Sequence, residues 1–286
     1  MKLKTIALLH PGNMGATIGA AAVASGARVV WASAGRSGAT RKRAEQAGLA
    51  DVGNLAAALG QSEVVLSVCP PHAALSVAHE VAEMNFPGIY VDANAVSRAT
   101  AEEIGRIVSE AGASFVDGGI IGSPVKKAGT TRLYLSGVGA ERIAELFTST
   151  MLDARAIGDR PGAASALKLA YAAWTKCSDI LAIAIRAYAD HEGIDAALLD
   201  EWAISQPVLE KKCDRAASVA VPKAWRYVGE MQEIAEAFKS AGLPGGFHDA
   251  AAEVCERLAC FKDQTDPPPS MAAVLQVLGG KAVPVK

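Results

Sequence analysis

Apolar and polar positions follow two different rhythms along the chain, and the change between them falls near residue 160. Before it, short apolar runs alternate with helical patterns. TIALLH at 5–10 predicts a strand, and the small-residue stretch ATIGAAAVASG predicts a helix that stops at Gly26. ARVVWAS reads as the next strand and TRKRAEQAG as a charged helix. EVVLSVCP, GIYVDAN and ASFVDGGIIG repeat the theme, and RLYLSG and DARAIG add two short strands with a helix between them. Such strands, alternating with helices, imply βαβ units. The fold class is therefore α/β, with a doubly wound, mostly parallel sheet covered on both faces. After Pro161 the strand signals vanish. GAASALKLAYAAWTKCSDILAIAIRAYADHEG predicts one long helix stopped by Gly193, and further helices are expected near 196–205, 207–219, 222–241, 245–262 and 270–279. Pro222 and Pro244 fall where helices start, a position proline tolerates. The chain divides into an α/β domain over 1–160 and an all-helical domain over 161–286 that begins with the long linking helix.

The first strand runs into a glycine-bearing turn, TIALLHPGNMGATIG. In a Rossmann-type dinucleotide fold, one glycine makes the tight turn. A second lets the backbone approach the pyrophosphate, and a third lets the helix pack on its strand. Gly12 and Gly15 hold the second and third places, Gly19 follows one turn on, and His10 stands where the first glycine is expected. The loop Gly12, Asn13, Met14, Gly15 opens a helix whose free N–H groups and dipole favour an anion. Strand, loop and helix in this order favour a dinucleotide site over a structural turn. An NAD site usually has an Asp or Glu at the end of the second strand. Here that strand ends VVWASAGRS, with no carboxylate until Glu45 and with Arg36 and Ser37 in its place. A guanidinium matches a 2′-phosphate, so NADP(H) is favoured. Arg43 is expected on the solvated face of the following helix.

Composition narrows the partners. Apolar residues make up 51 % and charged residues 20 %, and the net charge is −2, which argues against nucleic acid or an acidic membrane as the main partner. Lys2 and Lys4 flank a strand-length apolar run rather than a secretory core, and no stretch approaches the ~18 apolar residues of a membrane span. The five cysteines are scattered without zinc or redox spacing, and the five histidines show no paired ligand spacing, so no metal site is expected. Free thiols point to a cytoplasmic protein.

Lys168 lies in the apolar stretch ASALKLAYAAW, on one helical face with Tyr171, Ala172 and Thr175. The residues alone leave two readings open. A desolvated lysine has a lowered pKa and suits proton transfer, whereas a surface lysine keeps its head in water. Trp174, Trp202 and Trp225 are expected to pack in the core or at an interface, and His248 is read as a helix-start residue.

In order, HPGNMG, GRS at 35–37, VVLSVCP at 64–70, VDAN at 91–94, VDGGIIGSP at 116–124, GTTRLYLSG at 129–137 and IGDRPGAASALKLAY at 157–171 resemble the β-hydroxyacid dehydrogenase group. That group includes 6-phosphogluconate and 3-hydroxyisobutyrate dehydrogenases and, more distantly, imine reductases. The resemblance covers the first ~190 residues, consistent with one dinucleotide domain and a linking helix. It implies a hydroxy-acid oxidoreductase with Lys168 as catalytic acid/base. Cys69, Pro70 and Asn94 would border the nicotinamide, and a helical domain would close the site and form a homodimer. Two departures stand out: Ile121 replaces the family's substrate-loop serine, and Ala172 replaces the asparagine one turn past the lysine. Gly122, Ser123, Tyr171 and Thr175 are the remaining substrate candidates, for a small carboxylate, with Lys176 a further substitute for the missing contacts. The imine-reducing branch commonly lacks this lysine, so Lys168 counts against that chemistry. A non-catalytic NADP(H)-binding protein is the other alternative.

Overall fold

A computed structural model describes residues 5–280, and Lys2 and Lys4 lie outside them. The first compact unit ends at Leu169 and the second begins at Ala170. In the first, β1 (Thr5–Leu9), α1 (Asn13–Ala24), β2 (Arg28–Trp31), α2 (Gly38–Gln46), β3 (Ala50–Asp51), α3 (Leu55–Leu59), β4 (Val64–Ser67), α4 (Ala74–Glu83), β5 (Ile89–Asp92) and α5 (Arg98–Glu110) alternate. β6 (Ser114–Gly122), β7 (Thr131–Ser136), α6 (Ala140–Glu145) and β8 (Asp153–Ala156) complete it. The strands form one eight-stranded sheet in the order β3-β2-β1-β4-β5-β6-β7-β8. Every neighbouring pair is parallel except β6 and β7, which run antiparallel.

The continuous apolar character of the strands has a direct cause. Ile6, Leu8, Val29, Trp31, Val64 and Leu66 pack into one core, while Ala7, Leu9, Val30 and Val65 pack into another. A strand alternates its side chains between faces, so a sheet covered on both sides needs apolar residues at every position. β3 and α3 are too short to show a period in the sequence.

α7 (Ala163–His191) is the long helix expected from the sequence, followed by α8 (Asp195–Ser205), α9 (Leu209–Arg215), α10 (Ala224–Ser240), α11 (Gly246–Arg257) and α12 (Met271–Leu278). The helix expected over 207–219 continues past α9 as a π turn, Ala216–Ala220, and Pro222 then occupies a short 3-10 segment before α10. The unit boundary lies inside α7 rather than near residue 160, because the first turns of that helix are hydrogen-bonded to the sheet. In the second unit Trp202 packs with Ala182 and Cys213, whereas Trp174 is 71 % exposed and Trp225 sits at the surface margin. Among the described residues no helix is long and apolar enough to cross a membrane.

Candidate active site

β1 lies between β2 and β4, so the connections leave it in opposite directions and open a crevice at the carboxyl ends of these strands. The turn after β1 fills the near side of that crevice. His10 itself adopts the left-handed conformation, φ +67°, that the first glycine of such a turn would take. Its carbonyl accepts the Gly12 N–H at 2.7 Å, which closes the turn. A Cβ on Gly15 would stand 2.5 Å from that same carbonyl, so only glycine lets α1 start this close to the turn. Ser37, Asn54 and Ser97 cap α2, α3 and α5 with their side chains, but α1 has no side-chain cap and no acidic residue in its first turn. Its leading N–H groups and positive dipole end are left for an anion, with Asn13 exposed beside them and Met14 packed on the core below. A dinucleotide diphosphate fits this end.

The end of β2 carries the second half of the nucleotide environment. Arg36 is exposed and donates from Nη2 to His10 Nε2 at 2.8 Å. A guanidinium has no acceptor, so this bond requires a neutral imidazole with its proton on Nδ1. Burial first, then the Arg36 charge, pulls the His10 pKa down to about 4. Ser37 accepts the Thr40 N–H and starts α2. Arg41 donates to the Ser33 carbonyl at 3.1 Å. Arg43 is half-buried rather than fully solvated, because its guanidinium reaches Thr40 Oγ1 and the carbonyl of Pro11 in the glycine turn.

Further along the sheet the strand registers align four polar residues. Ser67 pairs with Asp92, Asp92 with Asp117, and Asp117 with Ser136, and all four are completely buried. Asp117 accepts the Ser136 hydroxyl at 3.0 Å, the Ser165 N–H at 2.9 Å and the Ser165 hydroxyl at 2.5 Å, while Ser136 Oγ accepts the Ala164 N–H at 3.0 Å. A strand carboxylate thus satisfies the start of α7. Gly119 makes the approach possible, since a Cβ there would lie 2.6 Å from the Ala164 carbonyl and 3.1 Å from Lys168 Cβ. Lys168 thereby packs on Gly119 of β6, within reach of the Asp92 charge. Burial draws its pKa down to about 8, opposed by the charge of Asp92. Burial pushes Asp92 up to about 7; hydrogen bonds from Asn94 oppose the rise, Asp117 adds to it and Lys168 reduces it. Two groups that ordinarily titrate far apart are brought close to neutrality, the condition for moving a proton at physiological pH.

A family model described as the NAD binding domain of 6-phosphogluconate dehydrogenase matches residues 5–154. The chain belongs to this family. A model for a domain of unknown function, DUF1932, matches residues 189–258. An uncharacterized 28.5 kDa protein of Methanothermus fervidus is 30 % identical over 166 residues, which cover 58 % of this chain and 63 % of that protein. The chain thus spans less than two thirds of that relative's length. A conserved hypothetical protein from Sinorhizobium meliloti 1021 is 25 % identical, with 98 % of this chain and 97 % of that one covered at a TM-score of 0.75. A 3-hydroxyisobutyrate dehydrogenase from Mycobacterium tuberculosis, solved with L-serine, shares the fold at a TM-score of 0.73, with 20 % identity and 97 % and 99 % coverage.

The other sequence-derived positions are divided between the NAD-binding domain and the second unit. Asn94 is buried 25 positions from Cys69, whose N–H it accepts at 2.6 Å, and its amide donates to Ser67 and Asp92. It therefore joins the ends of β4 and β5. Burial holds the Cys69 thiol up at about 11, so it stays a neutral thiol, and Pro70 is exposed beside it. Gly122 (φ +120°) ends β6, and Ser123 accepts the Thr131 hydroxyl through its carbonyl. Ile121, at the family's serine position, is buried. Tyr171 and Thr175 belong to the second unit, where Thr175 donates to the Tyr171 carbonyl along α7. His248 is buried edge-on against Phe238, a packing role. Asp92, Asp117, Ser136 and Ser165 are not among the site residues that the sequence motifs single out. The available signal was a carboxylate inside a strand whose neighbours are apolar on both faces, where no water can solvate it.

Proposed function

We propose that the chain is an NADP(H)-dependent oxidoreductase that interconverts a small hydroxy acid and the corresponding carbonyl compound. The observation that carries this reading is Lys168, partly buried over Asp92 with its pKa drawn down to about 8. A bound nicotinamide would supply hydride transfer. In oxidation the neutral Lys168 amine takes the substrate hydroxyl proton, and in reduction its ammonium returns a proton to the carbonyl oxygen. Asp92, set beside it, favours the ammonium. Backbone N–H groups at Gly122 and Ser123 hold the substrate carboxylate.

NADP(H) rather than NAD(H) follows from Arg36, a cation with no ion-pair partner among the described residues, at the place where an NAD site keeps a carboxylate. Calorimetric titration with NADPH and NADH tests this. Arg36→Ala is expected to weaken NADPH roughly tenfold or more, the scale of a lost charge-assisted phosphate contact, while NADH changes less than about twofold. Equal affinity of the unaltered protein for the two dinucleotides would overturn the assignment. A turnover screen of hydroxy acids, keto acids and a cyclic imine then separates alcohol from imine chemistry.

The second unit supports a homodimer. Trp174, Leu181, Ile185 and Tyr188 recur at near-heptad spacing along α7 and are 71, 53, 40 and 65 % exposed. Leu181 also lines an apolar groove of about 380 Å³ with Cys177, Ile180, Pro244 and the exposed Phe247. Sedimentation equilibrium should give a dimer, and Leu181→Glu should shift it toward monomer; a monomeric unaltered protein would sink this reading.

A further inference from the structure

We infer that His10 is a positioning residue for cofactor choice: its imidazole holds the Arg36 guanidinium at the glycine turn and so contributes to selection of a 2′-phosphate. This rests on the NADP(H) reading above and extends it to a residue that the glycine pattern treats only as a defect.

Three observations support it. First, His10 occupies φ +67°, a left-handed conformation that is strained for a non-glycine residue and that glycine would adopt freely. A side chain kept there has a use that offsets the strain. Second, the 2.8 Å bond from Arg36 Nη2 to His10 Nε2 ties the turn after β1 to the end of β2 across 26 positions. An exposed arginine has large rotamer freedom, and ordering it in advance removes that cost from binding. Third, the anchor is uncharged. A carboxylate in this place would compete with the incoming phosphate for the same guanidinium and would itself favour a ribose hydroxyl. A neutral imidazole orients Arg36 and leaves its charge available. Burial keeps the ring neutral, and with Nδ1 enclosed and unpartnered, its one hydrogen bond among the described residues is the one that Nε2 accepts from Arg36. Arg43, bonded to Thr40 and to Pro11, braces the same junction from the next turn of α2.

The test is a double-mutant cycle read by binding, not turnover. NADPH, NADH, 2′-AMP and 5′-AMP are titrated calorimetrically into the unaltered protein, His10→Gly, Arg36→Ala and the double variant. Glycine accepts φ +67° without strain, so His10→Gly is expected to keep its melting temperature and the shape of the turn. It should weaken NADPH and 2′-AMP roughly tenfold, the scale of one lost hydrogen bond to a charged group, and change NADH and 5′-AMP less than about twofold. In the Arg36→Ala background the same substitution should add nothing. Equal weakening of NADPH and NADH would overturn the inference, since His10 would then act only through the turn; so would unchanged binding of all four ligands. Failure of the underlying reading looks different: the unaltered protein itself would not prefer NADPH to NADH, or Arg36→Ala would leave that preference intact, and either result removes this inference with it.

Discussion

Lys168→Ala is expected to lower turnover by about 10²–10⁴-fold, the range of a lost general acid/base, while NADPH affinity stays within about twofold. The distinction matters because Lys168 packs on Gly119 of β6 and interacts with Asp92 of β5, not with the glycine turn. Lys168→Arg should not restore oxidation, since a guanidinium does not give up its proton near neutral pH. The pH dependence follows from the lowered pKa. In the proposed chemistry oxidation needs the neutral amine, so kcat/KM for the alcohol should rise with pH and level off above about 8. Reduction needs the ammonium, so its kcat/KM falls as pH rises through the same value. Asp92 favours the charged lysine, and Asp92→Asn should move both limbs to lower pH. Rate profiles in the two directions that share no inflection, or full activity in Lys168→Ala, would remove the lysine from the chemistry.

Asp117→Ala should produce the largest loss of stability. Its carboxylate accepts the Ser165 N–H and the hydroxyls of Ser165 and Ser136, all in a buried region. Alanine leaves these donors without an acceptor, at about 1–3 kcal/mol for each one that finds no water. A loss of about 3 kcal/mol or more is expected, on the order of 10 °C in melting temperature for a chain of this size. Because Ser165 is one turn before Lys168, turnover should fall as well. Asp117→Asn keeps the shape and one acceptor oxygen, so thermal melts should place it between the two. A melting temperature for Asp117→Ala within about 2 °C of the unaltered protein would mean that water or a rearranged Ser136 replaces the carboxylate.

These expectations came from different levels of the molecule. Apart from the short β3 and α3, the strand and helix sequence of the first 160 residues, the glycine turn and the long helix stopped at Gly193 were legible in apolar spacing and punctuation, because a two-face-buried sheet demands long apolar runs. From its neighbours alone Lys168 was ambiguous, and only the family resemblance implied a catalytic role for it. Its apolar neighbours ALKLAY fit a solvated lysine on a helix surface as well as a desolvated one, and nothing local decides between them. His10 looked like a missing glycine, since a linear pattern records which residue is absent but not the φ that its replacement adopts or the arginine 26 positions away that it meets.

The sequence by itself determined the α/β class, the strand–turn–helix that opens it, the helical second half, and the absence of a carboxylate at the end of β2. Each depends on periodicity or on neighbours within a few residues. Only the tertiary structure decided which buried polar groups stand together beside Lys168. Ser67, Asp92, Asp117 and Ser136 lie on four strands separated by 19 to 25 positions, with Ser165 a further 29 on, and they meet because strand pairing, parallel from β4 to β6 and antiparallel between β6 and β7, brings them into one register. A pKa near neutrality arises from burial and from charges brought close in space, and neither quantity exists along an extended chain.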